Sequence, residues 1–139
     1  SETNPGWRPA LAHPEPYTGI GRSSDWIERW RESGVLMVVN VGSLLGEPGP
    51  EAERVAYPML ARGPADCLAS DHHGRDGRST MLRAGWDRIA AAGHEGVADL
   101  LASANPEAIL AGEPCEPVPP VDLASSLVRR LRRMVRGPE

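Results

Sequence analysis

Cys67-Leu68-Ala69-Ser70-Asp71-His72-His73-Gly74, with Arg75-Asp76-Gly77-Arg78 directly after it, is the stretch on which the reading of this chain turns. A short apolar run stops at a Ser-Asp-His-His cluster, and a Gly-rich turn with two arginines follows. This pattern predicts a strand running out into a loop. Side chains two apart on extended backbone share a side, so Asp71 and His73 are expected to point together while His72 points away. A carboxylate beside an imidazole at a strand end suits a divalent transition metal. The same residues also suit a plain turn, with Asp71 capping the backbone and the histidines in water.

Working backwards, Gly63-Pro64 ends a helix predicted over Pro50 to Arg62, with Ala52, Val55, Ala56, Met59 and Leu60 on one side. Before it, Val35-Leu36-Met37-Val38-Val39-Asn40 is apolar without a break, as in a strand buried on both faces of a parallel sheet. Gly42 to Gly46 is expected to close that strand. Upstream again, Ser23 or Ser24 caps a helix whose stripe of Trp26, Ile27 and Trp30 is expected in the core, and Gly34 ends it. Pro9 to His13 reads as a short buried strand, followed by Pro14-Glu15-Pro16, which holds His13 and Glu15 out of helix.

Working forwards, Ser79 is a good cap for a helix running to about Ala92, and a second is expected from His94 to Ala102. Asn105-Pro106 should then open a last short one, with Asn105 as its cap. His94 and Glu95 are expected at the surface. Strands alternating with helices are the grammar of parallel α/β structure. Three strands are too few to close a barrel, so the fold is part of one or a small open sheet.

Three segments follow: a domain over 1–112, a stiff Pro-rich linker over 113–121, and an Arg-rich amphipathic helix over 122–139 with Leu123, Leu127, Leu131 and Met134 on one face. That helix reads either as docked on its own acidic domain or as a contact for an anionic membrane or nucleic acid.

The chain has 139 residues, 40% hydrophobic and 24% charged, with net charge −4. One domain with one core is expected. The acidic balance argues against nonspecific nucleic-acid binding by the body of the domain. No apolar run approaches the roughly 18 residues of a spanning helix. Cys67 and Cys115 form no Cys-x-x-Cys; Cys67 is expected to pack as a small hydrophobe, and a reducing cytoplasm is the expected compartment. The chain opens on Ser1 without a Met, from which we expect a fragment of a longer protein.

His13, Asp71 and His73 all fall just past predicted strand ends. In parallel α/β folds the loops leaving those ends share one face, where sites assemble. Arg78, next to a predicted helix start, is well placed for phosphate, although an ordinary loop arginine would look the same. Together they suggest metal-assisted hydrolysis of a phosphoester. The cysteine-nucleophile route to a phosphatase needs an arginine six positions after the thiolate; His73 and Val121 stand there instead, which excludes it.

Four motifs occur in an order that resembles one known group: Leu11-Ala12-His13-Pro14-Glu15, Asn40 to Gly46, Ala69 to Gly74 with Arg78, and Asn105 to Gly112. Over about residues 7 to 112 the chain resembles the C-terminal half of the polymerase and histidinol phosphatase (PHP) superfamily. It is most similar there to the bacterial tyrosine-protein phosphatases of capsule and exopolysaccharide biosynthesis. The resemblance implies an α/β fold, the C-terminal half of a distorted (β/α)7 barrel, with a cluster of divalent metal ions at its C-terminal face. The metal is usually manganese, with zinc or iron as the other options. It implies metal-dependent phosphomonoester hydrolysis, with His13, Asp71 and His73 as metal ligands and Arg78 as the catalytic arginine that binds substrate phosphate. The implied partners are a phosphotyrosine protein, a tyrosine kinase of polysaccharide export, and the missing N-terminal half of the barrel.

Two departures stand out. Pro16 replaces the arginine that usually precedes Tyr17 in the family motif. The family's N-terminal His-x-His and bridging Glu are absent, so this portion alone is expected to be inactive or to bind metal weakly. Two other readings stay open: a non-catalytic interaction module, and a PHP phosphoesterase acting on histidinol phosphate or a nucleic-acid 3′ end.

Overall fold

The computed structural model describes residues 7–14, 25–47, 49–63, 65–74 and 81–125, with only the backbone described for 25–28. Its frame is a three-stranded parallel sheet in the order β1 (Ala10–Ala12), β2 (Leu36–Asn40), β3 (Cys67–Ala69). Leu11 lies opposite Met37 and Ala12 opposite Val38, while Val38 lies opposite Cys67 and Asn40 opposite Ala69. The sheet is open. β2 is sealed from water on the face of Met37 and Val39, while on its other face Leu36 is buried and Val38 and Asn40 are only partly covered. β1, by contrast, is not the buried strand its apolar sequence suggests: Ala10 and Ala12 are exposed, and Leu11 between them is only partly buried against the core.

Helices fill the crossovers. α1 (Asp25–Glu32) joins β1 to β2, and Arg31 Nη1 donates to the carbonyl of Gly63 at 2.7 Å, tying α1 to the end of α3. Trp30 is 39% exposed, so it does not extend the core as its spacing suggested. Trp26 and Ile27 have no described side chains. The segment that closes β2 begins as a short helix, α2 (Val41–Leu44), which the sequence reading did not include. Asn40 starts it by accepting the Gly42 N–H on Oδ1 at 2.8 Å, a cap that turns the chain directly from strand to helix.

α3 (Pro50–Arg62) has the bounds its sequence predicts. Pro50 sits in its first turn, Glu51 and Glu53 face the positive end of its dipole, and Gly63 closes it in left-handed backbone at φ 79°. Ala56, Met59 and Leu60 are buried as expected, together with Tyr57.

α4 (Leu82–Ala90) begins at Leu82 with Met81 in the cap position and no side-chain cap; Ser79, the expected cap, lies outside the described residues. α5 (Glu95–Asp99) does not stop near Ala102. It runs through a π turn (Leu100–Ala104) into α6 (Asn105–Ala111). Asn105 is therefore not a cap: its backbone is helical and its N–H reaches back to Leu100 O. Pro106 explains the wider turn. It has no N–H for the Ala102 carbonyl, and its ring crowds that oxygen in a regular helix.

The core joins Met37, Val39 and Leu68 of the sheet to Leu44, Leu60, Ile89, Ala98 and Leu101 of the helices, and to Val121 and Leu123. Those last two place the Pro-rich segment against the domain, not as a spacer standing off it. Val121 N–H donates to Leu60 O at 2.9 Å, and Val121 and Leu123 are each 1% exposed. Asp122 then caps a helical start at 123–125 by accepting the Ser125 N–H at 3.0 Å. Leu127, Leu131, Met134 and the Arg-rich part of the expected last helix lie outside the described residues. Cys67 is buried in β3 with a free thiol, pushed up to about 11 chiefly by burial, so it packs as the hydrophobe expected.

Candidate functional site at the strand ends

All three strands point the same way, so their outgoing ends share one edge of the sheet. β1 leaves through His13, whose N–H extends the ladder to Val38 O at 3.2 Å, and Pro14 behind it is fully buried. β3 leaves through Ser70 and Asp71. His13 and Asp71 both adopt positive φ, 55° and 49°. Outside glycine this conformation costs on the order of 1 kcal/mol or more and favours His, Asn and Asp among the others.

β1 and β3 are separated by β2, so their backbones stand about 10 Å apart. Their side chains nevertheless meet over the end of the central strand. His13 Nε2 lies 2.9 Å from Asp71 Oδ1, and His73 Nε2 lies 2.9 Å from the same oxygen. Asp71 and His73 meet as expected, but not on the extended backbone that their spacing assumed: β3 ends at Ala69 and Asp71 is left-handed. His72 is exposed and is not part of this group. Arg78 lies outside the described residues.

Asp71 is exposed, and its carboxyl is held below the usual carboxylate range. The His13 hydrogen bond is the main cause, opposed by partial desolvation and helped by the charges of His13 and His73. The carboxylate is thus kept ionised by the imidazoles that approach it. As it stands, the trio is a hydrogen-bonded group. Among the described residues no set of three or more His, Cys, Asp or Glu side chains is arranged to hold a metal ion. The donor chemistry itself fits one: two ligand atoms about 2.1 Å from a common ion and at right angles would be about 3 Å apart, close to the spacing found here.

Two supporting residues went unread in the sequence. Asn40 stands at the same edge on the central strand, between His13 and Asp71, with its Oδ1 committed to Gly42. A strand running straight into Asn-x-Gly was its available signal. Asp66 precedes β3 and exchanges two bonds with Met37, Asp66 N–H to Met37 O at 2.9 Å and Met37 N–H to Asp66 Oδ2 at 2.7 Å. Nothing local in the sequence marks it.

The chain thus presents an open parallel α/β sheet with two imidazoles and a carboxylate at its outgoing strand ends. The chain belongs to the family of capsular polysaccharide synthesis proteins CpsB/CapC, whose profile it matches over residues 2–111. It is 31% identical over 78 residues to the Staphylococcus aureus protein named "Putative tyrosine-protein phosphatase CapC". That match takes in 56% of this chain and 31% of the relative, so the chain spans about a third of the length of the curated relative it matches.

Proposed function

We propose that this chain is the C-terminal part of a PHP-superfamily phosphatase that hydrolyses phosphotyrosine in proteins of capsule synthesis. The observation that carries the reading is the convergence of His13, from the first strand, with Asp71 and His73, from the third, on one oxygen at 2.9 Å. Membership of the CpsB/CapC family and the name of the S. aureus relative support the reaction and its setting.

On this reading His13, Asp71 and His73 are the chain's share of a divalent metal centre, with manganese the metal we expect. Such an ion supplies charge neutralisation for the phosphoryl oxygens and an acidified water. His13 and His73 present Nε2 lone pairs once their protons leave, and the Asp71 carboxylate contributes negative charge at neutral pH. Arg78 is assigned to substrate phosphate, where a guanidinium gives a planar, two-pronged grip. Two imidazoles and one carboxylate are too few for a cluster of ions. The remaining ligands are assigned to the N-terminal half of the barrel, and the C-terminal portion alone is expected to be inactive. The substrate we assign is a phosphotyrosine-bearing kinase of polysaccharide export. Such a substrate places the reaction on the cytoplasmic side, where ATP is spent. Among the described residues no helix is long and apolar enough to cross a membrane.

The test uses the full-length protein, a phosphotyrosine peptide and added manganese. Phosphate release should need the metal and should fall by about a hundredfold or more in His13→Ala and in Asp71→Asn, as expected when a metal ligand is lost. Metal-independent release, or turnover unchanged in both variants, would remove the assignment.

A further inference from the structure

Asn105 is 1% exposed, a polar side chain deep in an apolar setting, and its hydrogen bonds are accounted for. Nδ2 donates to the carbonyls of Asp66 at 2.9 Å and Glu116 at 3.0 Å, and Oδ1 accepts the Glu116 N–H at 2.8 Å. It thereby grips the residue that leads into β3. Asp66 in turn is locked to Met37 through both its N–H and its carboxylate. Met37 is also the residue that faces Leu11 across β1. A single line therefore crosses the sheet on its incoming side, from Leu11 through Met37 and Asp66 to Asn105.

That line matters at the other end. His13 is two residues beyond Leu11, and Asp71 is five beyond Asp66. Their contact spans the whole width of β2, so it depends on β1 and β3 standing at the right height relative to each other. A slip of one residue moves a strand by about 3.3 Å and turns its side chains over. β3 is only three residues long and has few ladder bonds of its own to resist such a slip.

We propose that Asn105 is a positioning residue for the strand-end trio: by clamping the entry of β3 it sets the height at which Asp71 meets His13 and His73. The π turn is part of the device. It adds a residue to the helical turn before Asn105 and so rotates Asn105 by about 100° relative to α5, onto β3. The consequence for metal binding rests on the reading of the trio in the previous section.

The experiment compares Asn105→Ala, Asn105→Asp and Asp66→Ala with Val121→Ala in the full-length protein, at a temperature where each is folded. Val121→Ala weakens the packing of the Pro-rich strap, residues 113–121, without touching the clamp. Two readouts are taken: imidazole nitrogen NMR shifts of His13 and His73 without metal, and manganese affinity by calorimetry. The clamp variants should shift both imidazole signals and lose about tenfold or more in manganese affinity. Val121→Ala should lose thermal stability and keep wild-type values of both. Asp66→Ala removes the carboxylate that accepts the Met37 N–H and leaves Asn105 intact, so it should move the signals in the same direction even if the Asn105 variants fail to fold. Imidazole signals unchanged in every folded clamp variant would reduce Asn105 to a structural role and overturn the proposal. If the wild-type protein binds no manganese but the clamp variants still shift the imidazoles, the metal reading falls and the positioning role stands.

Discussion

At the scale of the residue, one atom gathers the candidate site: Asp71 Oδ1 receives the Nε2 atoms of both His13 and His73. Because His13 is the main cause of the depressed Asp71 carboxyl, the consequence for pH has a definite sign. A lowered carboxyl pKa contributes stability that is fully present above the unfolded value, near 4. That contribution is lost as pH falls through the lower folded value. Carboxyl-carbon NMR of the metal-free protein should therefore find Asp71 titrating below the ordinary carboxylate range. His13→Ala should move the midpoint back towards it, and an unmoved midpoint would mean His13 is not the controlling partner. Most of this trio was legible in the sequence. The meeting of Asp71 with His73 was expected from the two-residue repeat of extended backbone, although β3 ends at Ala69 and Asp71 itself is left-handed; His13 joins them because parallel strands leave a sheet on one side. Asp66 and Asn105 were not legible. Their partners are main-chain groups of Met37 and Glu116, and a main-chain partner leaves no mark on residue identity.

At the scale of the element, the sharpest constraint is the crossing of α2 and α4. A Cβ added at Gly85 would collide with the Cγ2 methyl of Val41 and meet Leu44 Cδ2 at 3.8 Å. Val41 is β-branched and fully buried at the first turn of α2, so the methyl has little freedom to rotate away. Gly85→Ala should cost about 1–3 kcal/mol, the usual penalty for overpacking, although alanine is the better helix former. Val41→Ala in the same chain should restore most of that loss, read by denaturant melts of the single and double variants. A Gly85→Ala variant as stable as the parent would mean the two helices can separate freely. Elements marked by their own ends, such as α3 between Pro50 and Gly63, were predicted to the residue. Those set by a neighbour were missed. α2, absent from the sequence reading, forms where the Asn40 side chain caps it, and α5 continues into α6 because a π turn absorbs Pro106. Trp30, the one residue of its stripe with a described side chain, was likewise read from helical spacing alone and is 39% exposed.

At the scale of the whole molecule, the core closes only with the segment after Gly112. Prolines at 114, 117, 119 and 120 forbid helix and ladder alike, which is why the stretch reads as a spacer in the sequence. Extended chain can still be packed chain, and the apolar residues set among the prolines were the signal: Val118 packs against the core, and Val121 and Leu123 are inside it. Burial of a Val and a Leu side chain is together worth about 3–6 kcal/mol. Losing Glu116 would also strand two of the Asn105 hydrogen-bond groups in the interior, at about 1–3 kcal/mol. Set against the roughly 5–15 kcal/mol that holds a domain together, this is most of the margin. Ending the chain after Gly112 should therefore abolish a cooperative thermal transition, followed by circular dichroism. The pair Val121→Ala and Leu123→Ala keeps the Glu116 bonds and should lower the transition without erasing it. A chain ended at Gly112 that melts cooperatively at the parent temperature would place the domain boundary there after all, and the strap would be an accessory of the fold.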